Sequence, residues 1–321
     1  MRIAILGLGS MGRRHAVNAM ALGHEARGFD PDPGARAAVA GLGAVAFASE
    51  EEALDRCDAV VVASPPAMHL RQAADALAAG CHVLVEKPLA DRVGQLPELC
   101  ASARARRLVF AVAQNLRYHP AVVAARGLLA RGAIGRPVLA AAIGASPLVD
   151  WRPGRDHRAG YAADPASGGV VFDWVHEIDM LAFLLGPPRA AGAVAANSGT
   201  LGLASEESAG LLLRHPGGAL STVALSYLGR PARRVCEILG DTGRLELDIP
   251  ARSLSRWDAT GALAQRVEYG GVHADDYALE LEDFLAATTG AAIPACPAEE
   301  GLAVLREVLA LRASAGLPCN T

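Results

Sequence analysis

"RIAILGLGSMGRRHA", residues 2 to 16, is the stretch on which the fold turns. Residues 2 to 7 form an apolar run of strand character, and a helix-like segment carrying Met11, Ala16, Ala19 and Met20 follows at once. Gly7, Gly9 and Gly12 stand between strand and helix in GxGxxG spacing. Each has a mechanical use there: Gly7 admits a tight turn, Gly9 lets the backbone approach a pyrophosphate, and Gly12 lets helix and strand pack closely. The backbone N–H groups at the helix start, around Ser10 and Met11, would then face the anion. Among 34 glycines in 321 residues the spacing alone is weak, and its position at the first strand-to-helix junction is what gives it weight.

The alternation continues downstream. Apolar runs at 25 to 29, 44 to 47, 59 to 63, 82 to 85 and 108 to 113 are separated by helix-like segments, which predicts a doubly wound parallel sheet with helices on both faces. The second run ends in "GFDPDP", where Asp30 can accept both ribose hydroxyls of an adenosine and repel a 2′-phosphate. NAD is therefore favoured over NADP. Arg36 tempers this, since its guanidinium could stack on adenine or compensate a phosphate. The fourth run leads into "ASPPAMH" at the carboxyl edge of the sheet, where ligands bind. Ser64 and Pro65 are either cofactor contacts or a plain turn before a helix that starts at a proline. His69, one turn further on, is either a cofactor contact or a surface histidine.

The fifth run ends at Glu86-Lys87-Pro88. Lys87 is the only lysine in the chain, against 29 arginines. At a solvated position arginine would serve equally, so the exception points to a compact ammonium that donates to a hydroxyl and shifts its pKa on burial. Pro88 ends the strand and fixes the backbone before it. Lys87 is thereby aimed at the crevice where a nicotinamide would lie, with Glu86 beside it.

From "EKP" onward the pattern resembles a known family. The GxGxxG turn, the SPP turn, EKP and "AQNLRYHP" at 113 to 120, with "GGVVFDWVHEIDML" at 168 to 181 and "ILGDTGRLELD" at 238 to 248, are similar to the Gfo/Idh/MocA family of sugar and cyclitol oxidoreductases. The resemblance implies a Rossmann domain over residues 1 to 120. It also implies an α+β domain over 121 to 321 with a largely antiparallel open sheet, for substrate binding and oligomerisation, with C-terminal helices that could pack back on the first domain. It makes Lys87, His176 and Asp173 the catalytic group, with Asp179 in support, and puts Asn115, Arg117 and His119 along the same crevice. Asn115 is counted with the cofactor, Arg117 with the substrate or with a structural role. Asp173 precedes His176 by three residues where many members have four, so its role is either to orient His176, to hold a substrate hydroxyl, or to begin a helix. On one continuous helix the two would share a face.

After residue 120 a helix-like stretch, 121 to 131, precedes strand-like runs at 137 to 143, 190 to 197, 209 to 214, 219 to 227, 234 to 239, 244 to 249 and 263 to 269. A helix over 173 to 185 is expected to cover one face of their sheet and leave the other for a second sheet, and the resemblance implies homodimers or homotetramers built that way. Helices are expected at 274 to 288 and 297 to 314. The irregular loop "WRPGRDHRAGY", 151 to 161, offers Trp151 for stacking and Arg152, Arg155 and Arg158 for an anion, unless arginine is simply the default cation of this chain.

Composition excludes other classes. A net charge of −4 with scattered basic residues leaves no footprint for nucleic acid. Six dispersed cysteines without a CxxC pair argue against a disulfide framework and a zinc site, and no metal is expected. No apolar segment is long enough to span a bilayer, so a cytoplasmic enzyme without membrane partners is expected. The expected reaction moves a hydride between a secondary alcohol of a sugar or cyclitol and NAD. Histidine's reference pKa of ~6.5 against ~10.4 for lysine makes His176 the acid/base and Lys87 the donor to the substrate oxygen. The alternatives are an NAD(P)-sensing regulator of the same fold, and an enzyme that uses NAD transiently for elimination or glycosidic cleavage.

Overall fold

The computed structural model describes residues 1–152, 154 and 156–320. The chain divides into two compact units, one of residues 1–115 and 273–302 and one of residues 116–272 and 303–321. In the first unit six parallel strands, β1 (Arg2–Leu6), β2 (Glu25–Phe29), β3 (Val45–Phe47), β4 (Ala59–Val62), β5 (His82–Glu86) and β6 (Phe110–Ala113), lie in the order β3-β2-β1-β4-β5-β6. The connecting helices are α1 (Ser10–Ala21), α2 (Pro33–Ala40), α3 (Glu50–Leu54), α4 (Pro66–Ala78) and α5 (Leu96–Ala105). Helices on both faces bury the central strands, which is why β4 reads Ala-Val-Val-Val without alternation. The winding reverses between β1 and β4, so their carboxyl ends open the crevice in which such sheets bind ligands.

The second unit begins with α6 (Pro120–Ala130) and carries an eight-stranded sheet. Its strands are β7 (Pro137–Ala145), β8 (Arg189–Ala196), β9 (Ser208–Arg214), β10 (Leu220–Ser226), β11 (Arg233–Gly240), β12 (Gly243–Asp248), β13 (Ser253–Trp257) and β14 (Leu263–Glu268), in the order β14-β13-β12-β11-β7-β10-β9-β8. All neighbours are antiparallel except β7 and β10. Between β7 and β8 come α7 (Leu148–Trp151), α8 (Val170–Asp173) and α9 (Val175–Leu185). The helix expected over 173 to 185 is thus broken. Trp174 leaves helical geometry at φ −98° and ψ 27°, and Glu177 N–H bonds back to the Trp174 carbonyl three residues away, so Asp173 and His176 do not share one helix stripe. Strand β13 was not expected, because two of its buried positions are filled by serines, Ser253 and Ser255, which erases the alternation.

One face of this sheet packs under α8 and α9. The opposite face presents Leu139, Val194, Leu212 and Leu220, each more than a third exposed, with registers that set Leu220 beside Leu139 and Gly210 beside Val194.

Past residue 272 the chain supplies α10 (His273–Thr288), then α11 (Ala298–Ser314). Helix α10 packs on α1, and Leu281, Phe284 and Leu285 complete the first unit's core with Ile3, Ile5, Ala16, Ala19, Val61 and Leu84. Full burial of a leucine or phenylalanine side chain stabilises by ~1.5–3 kcal/mol, so these three are constituents of that core rather than trimming.

Candidate active site

The glycine turn has the shape a dinucleotide needs. Gly7 adopts φ +89°, and a Cβ there would run into the backbone of Ala63 and Ser64, so the turns after β1 and β4 touch. A Cβ on Gly12 would collide with the Gly7 carbonyl, which is the close helix-strand contact. Gly9, before α1, faces open space where a pyrophosphate can approach Ser10, Met11 and the helix N-terminus. Asp30 ties this turn to β2: its Oδ2 accepts from Leu8 N–H at 2.8 Å and its Oδ1 from Asp32 N–H at 2.9 Å. Arg36 donates to the Asp30 and Pro31 carbonyls at 2.6 and 3.2 Å. Just past β6, Asn115 is 1% exposed, and its side-chain Oδ1 and Nδ2 make no hydrogen bond among the described residues. A buried amide with both ends unsatisfied is costly unless a ligand completes it. These residues fit the dinucleotide.

Lys87 follows β5, half-buried, with a cis bond to Pro88. Its N–H donates to Glu86 Oε2 at 3.2 Å, and Glu86 Oε1 lies 2.8 Å from His15 Nε2 on α1. Burial pushes the Glu86 carboxyl up, but the His15 bond and the charges of His15 and Lys87 pull it down further, and it ends below the ordinary range. Glu280 of α10 brings its carboxylate within 4.8 Å of the His15 and Glu86 ligand atoms. His69 is not a surface residue. It is 1% exposed, with Nδ1 2.9 Å from the Pro88 carbonyl and Nε2 2.8 Å from the Ser64 carbonyl, so it braces the turn after β4 against the turn after β5. Burial holds its pKa below the usual histidine value. Pro65 precedes α4 as its N-cap, and the Ser64 hydroxyl donates to Gln72 at 2.5 Å.

The second unit holds a cavity of about 410 Å³ lined by Leu148, Trp151, Arg152, His157, Tyr161 and Asp173 among others. Asp173 is the focus of its polar contacts: Tyr161 donates to Oδ1 and Tyr227 to Oδ2, each at 2.5 Å. Trp151 packs edge-on against Trp174 and Tyr227, with centroids 5.8 and 5.7 Å away, and donates to Ser146. Arg152 lies over the Tyr161 ring. His176, second residue of α9, is 8% exposed. The approach to α8 is held by Arg312 of α11, which donates to the Glu206 carboxylate and to the Gly168, Pro165 and Pro318 carbonyls. Glu206 in turn accepts from Val171 N–H.

Other candidates are engaged elsewhere. Arg117 forms a bidentate pair with Asp179 at 2.7 and 2.9 Å, both buried, which favours the structural role for Arg117. His119 contacts the Ile249 carbonyl through Nε2 at 3.1 Å. Arg158 pairs with Asp156 at the surface, and Arg155 lies outside the described residues. Tyr161, Tyr227, His15 and Arg312 escaped sequence reasoning. Tyr161 closes the quoted loop and could have been noticed there, whereas Tyr227 meets Asp173 across 54 residues of chain.

Comparison with known proteins agrees with this geometry. Residues 1–114 match the model of an oxidoreductase family with an NAD-binding Rossmann fold, and residues 122–246 match the GFO/IDH/MocA C-terminal domain. The chain is 30% identical over 300 residues to the inositol 2-dehydrogenase of Cereibacter sphaeroides, covering 89% of this chain and 85% of that protein. It is 34% identical over 217 residues to dTDP-3,4-didehydro-2,6-dideoxy-alpha-D-glucose 3-reductase of Streptomyces violaceoruber, covering 67% of this chain and 61% of that protein. Its fold is similar to that of the UDP-N-acetylglucosamine 3-dehydrogenase of Acidithiobacillus ferrooxidans, with TM-score 0.80, 25% identity, and 98% and 97% of the two chains covered. With the glycine turn, the Lys87 strand end and both family domains in place, the chain belongs to the Gfo/Idh/MocA family and is an oxidoreductase with an NAD-binding Rossmann unit.

Proposed function

We propose that this enzyme oxidises a secondary alcohol of a sugar, sugar derivative or cyclitol, or reduces the corresponding ketone, with NAD rather than NADP. The observation that carries the reading is the chain's single lysine, retained at the carboxyl end of β5 beside a buried, ionised Glu86. Relatives named as acting on inositol and on nucleotide-linked sugars support the substrate class.

Bound NAD supplies the hydride acceptor. In this reading His176 takes the hydroxyl proton, and Lys87 donates to the substrate oxygen and stabilises negative charge as it develops there. Asp173 belongs to the hydroxyl-binding wall of the cavity, together with Trp151 and Arg152. Asp30 selects NAD by repelling a 2′-phosphate, and Arg36 is oriented by Nη1 bonds to the Asp30 and Pro31 carbonyls. Arg158, paired with Asp156, is withdrawn from anion binding, which favours a neutral substrate.

A second copy of the chain covers the open sheet face that bears Leu139, Val194, Leu212 and Leu220, giving a homodimer or homotetramer. No helix among the described residues is long and apolar enough to cross a membrane, and cysteines held as free thiols suit a reducing compartment. A cytoplasmic setting follows from that reading.

The test is a screen of the purified protein with NAD⁺ against myo-inositol, D-glucose, levoglucosan and UDP-N-acetylglucosamine. Accumulating NADH supports the proposal. Binding without turnover, or product formation without net NADH, overturns it.

A further inference from the structure

We infer that Tyr161 is a specificity-determining residue that accepts a hydrogen bond from one substrate hydroxyl, and that it requires a donor there. The inference rests on the proposed oxidoreductase reading and deepens it. A phenol has one O–H to give and lone pairs to receive with. Tyr161 gives its proton to Asp173 Oδ1 at 2.5 Å, within the range of a short, charge-assisted bond. The other Asp173 oxygen is held at the same distance by Tyr227, whose ring is fully buried, so the carboxylate is pinned from both sides. Burial, and then the Asp173 charge, push the Tyr227 hydroxyl well above its ordinary pKa, so it remains a donor.

The consequence lies in the cavity that Tyr161 and Asp173 both line. With its proton committed, the Tyr161 oxygen meets an incoming group only as an acceptor, and any further partner of that oxygen must itself donate. A hydroxyl or amine satisfies it. A ketone, an ether or a fluorine does not, and places lone pair against lone pair. The cavity is thus built to read one hydroxyl that does not react.

The experiment compares the best substrate of the four-compound screen with its monodeoxy and monofluoro analogues, in the wild type and in Tyr161→Phe. At one non-reacting position both analogues are expected to fall ~10-fold to 10²-fold in kcat/KM with the wild type, as for loss of a hydrogen bond. Fluorine should give no rescue, because it accepts but cannot donate. In Tyr161→Phe, which keeps the ring, the discrimination should collapse to within ~3-fold, mostly through a raised KM for the parent compound. Rescue by fluorine in the wild type, or discrimination unchanged in Tyr161→Phe, overturns the assignment while leaving the proposed function standing. Turnover of none of the four compounds by the wild type overturns both.

Discussion

His15 Nε2 lies 2.8 Å from Glu86 Oε1, with both side chains buried and Glu86 immediately preceding Lys87. A carboxylate kept ionised in such a place depends on its partners. His15→Ala is therefore expected to cost ~3 kcal/mol, the order found when one member of a buried pair is removed. Urea unfolding of the variant measures this, and a loss near zero would mean that the pair carries no stability.

The same carboxylate predicts an acid dependence of definite sign. Glu86 has its folded pKa held below the ordinary value, so its contribution is present above the unfolded-state pKa of ~4.3 and is lost as pH falls through the folded value. Glu86→Gln should flatten the fall of unfolding free energy below that pH. An unchanged acid limb would assign the effect to other carboxyl groups.

Lys87→Arg, the exchange this chain otherwise makes throughout, should abolish turnover while leaving NADH binding nearly intact by fluorescence titration. His176→Ala should lower kcat by ~10² to 10⁴, as for loss of a general acid/base. Ordinary activity in either variant contradicts the proposed chemistry.

Asp30 has two duties that substitution separates. Asp30→Ala removes the acceptor for Leu8 and Asp32 N–H and should weaken NADH binding ~10-fold, as for one charged hydrogen bond. Asp30→Asn keeps an acceptor and drops the charge, so it should bind NADH better than the alanine variant and narrow the preference against NADPH. Equal NADH and NADPH affinities in the wild type would refute the NAD assignment.

Leu212→Asp on the open sheet face should convert the assembly to monomers in sedimentation velocity, with far-UV circular dichroism retained. A wild-type monomer would remove the proposed interface.

The sheet of the first unit was legible because most of its strands, β4 and β6 above all, are short apolar runs bounded by turn residues, a signal contained within a few neighbouring positions. Lys87 was legible for the opposite reason, as an exception to the chain's own composition. Local patterns failed where contacts are distant or where polar residues go inside. The inward serines hid β13, and Trp174 broke a helix whose apolar pattern runs straight through it. His69 reads as a surface residue until the two carbonyls that flank it are brought together by β4 and β5. The tyrosine clamp on Asp173 draws its members from 12 and 54 residues away, separations at which periodicity says nothing.

The discontinuity of the first unit bears on biosynthesis. Leu281, Phe284 and Leu285 belong to the same cluster as Ile3 and Ile5, so a nascent chain that has emerged only as far as β6 exposes an unfinished apolar surface against α1. The core of the amino-terminal segment cannot close before α10 has been synthesised, and a fragment cut after residue 115 is expected to aggregate rather than fold.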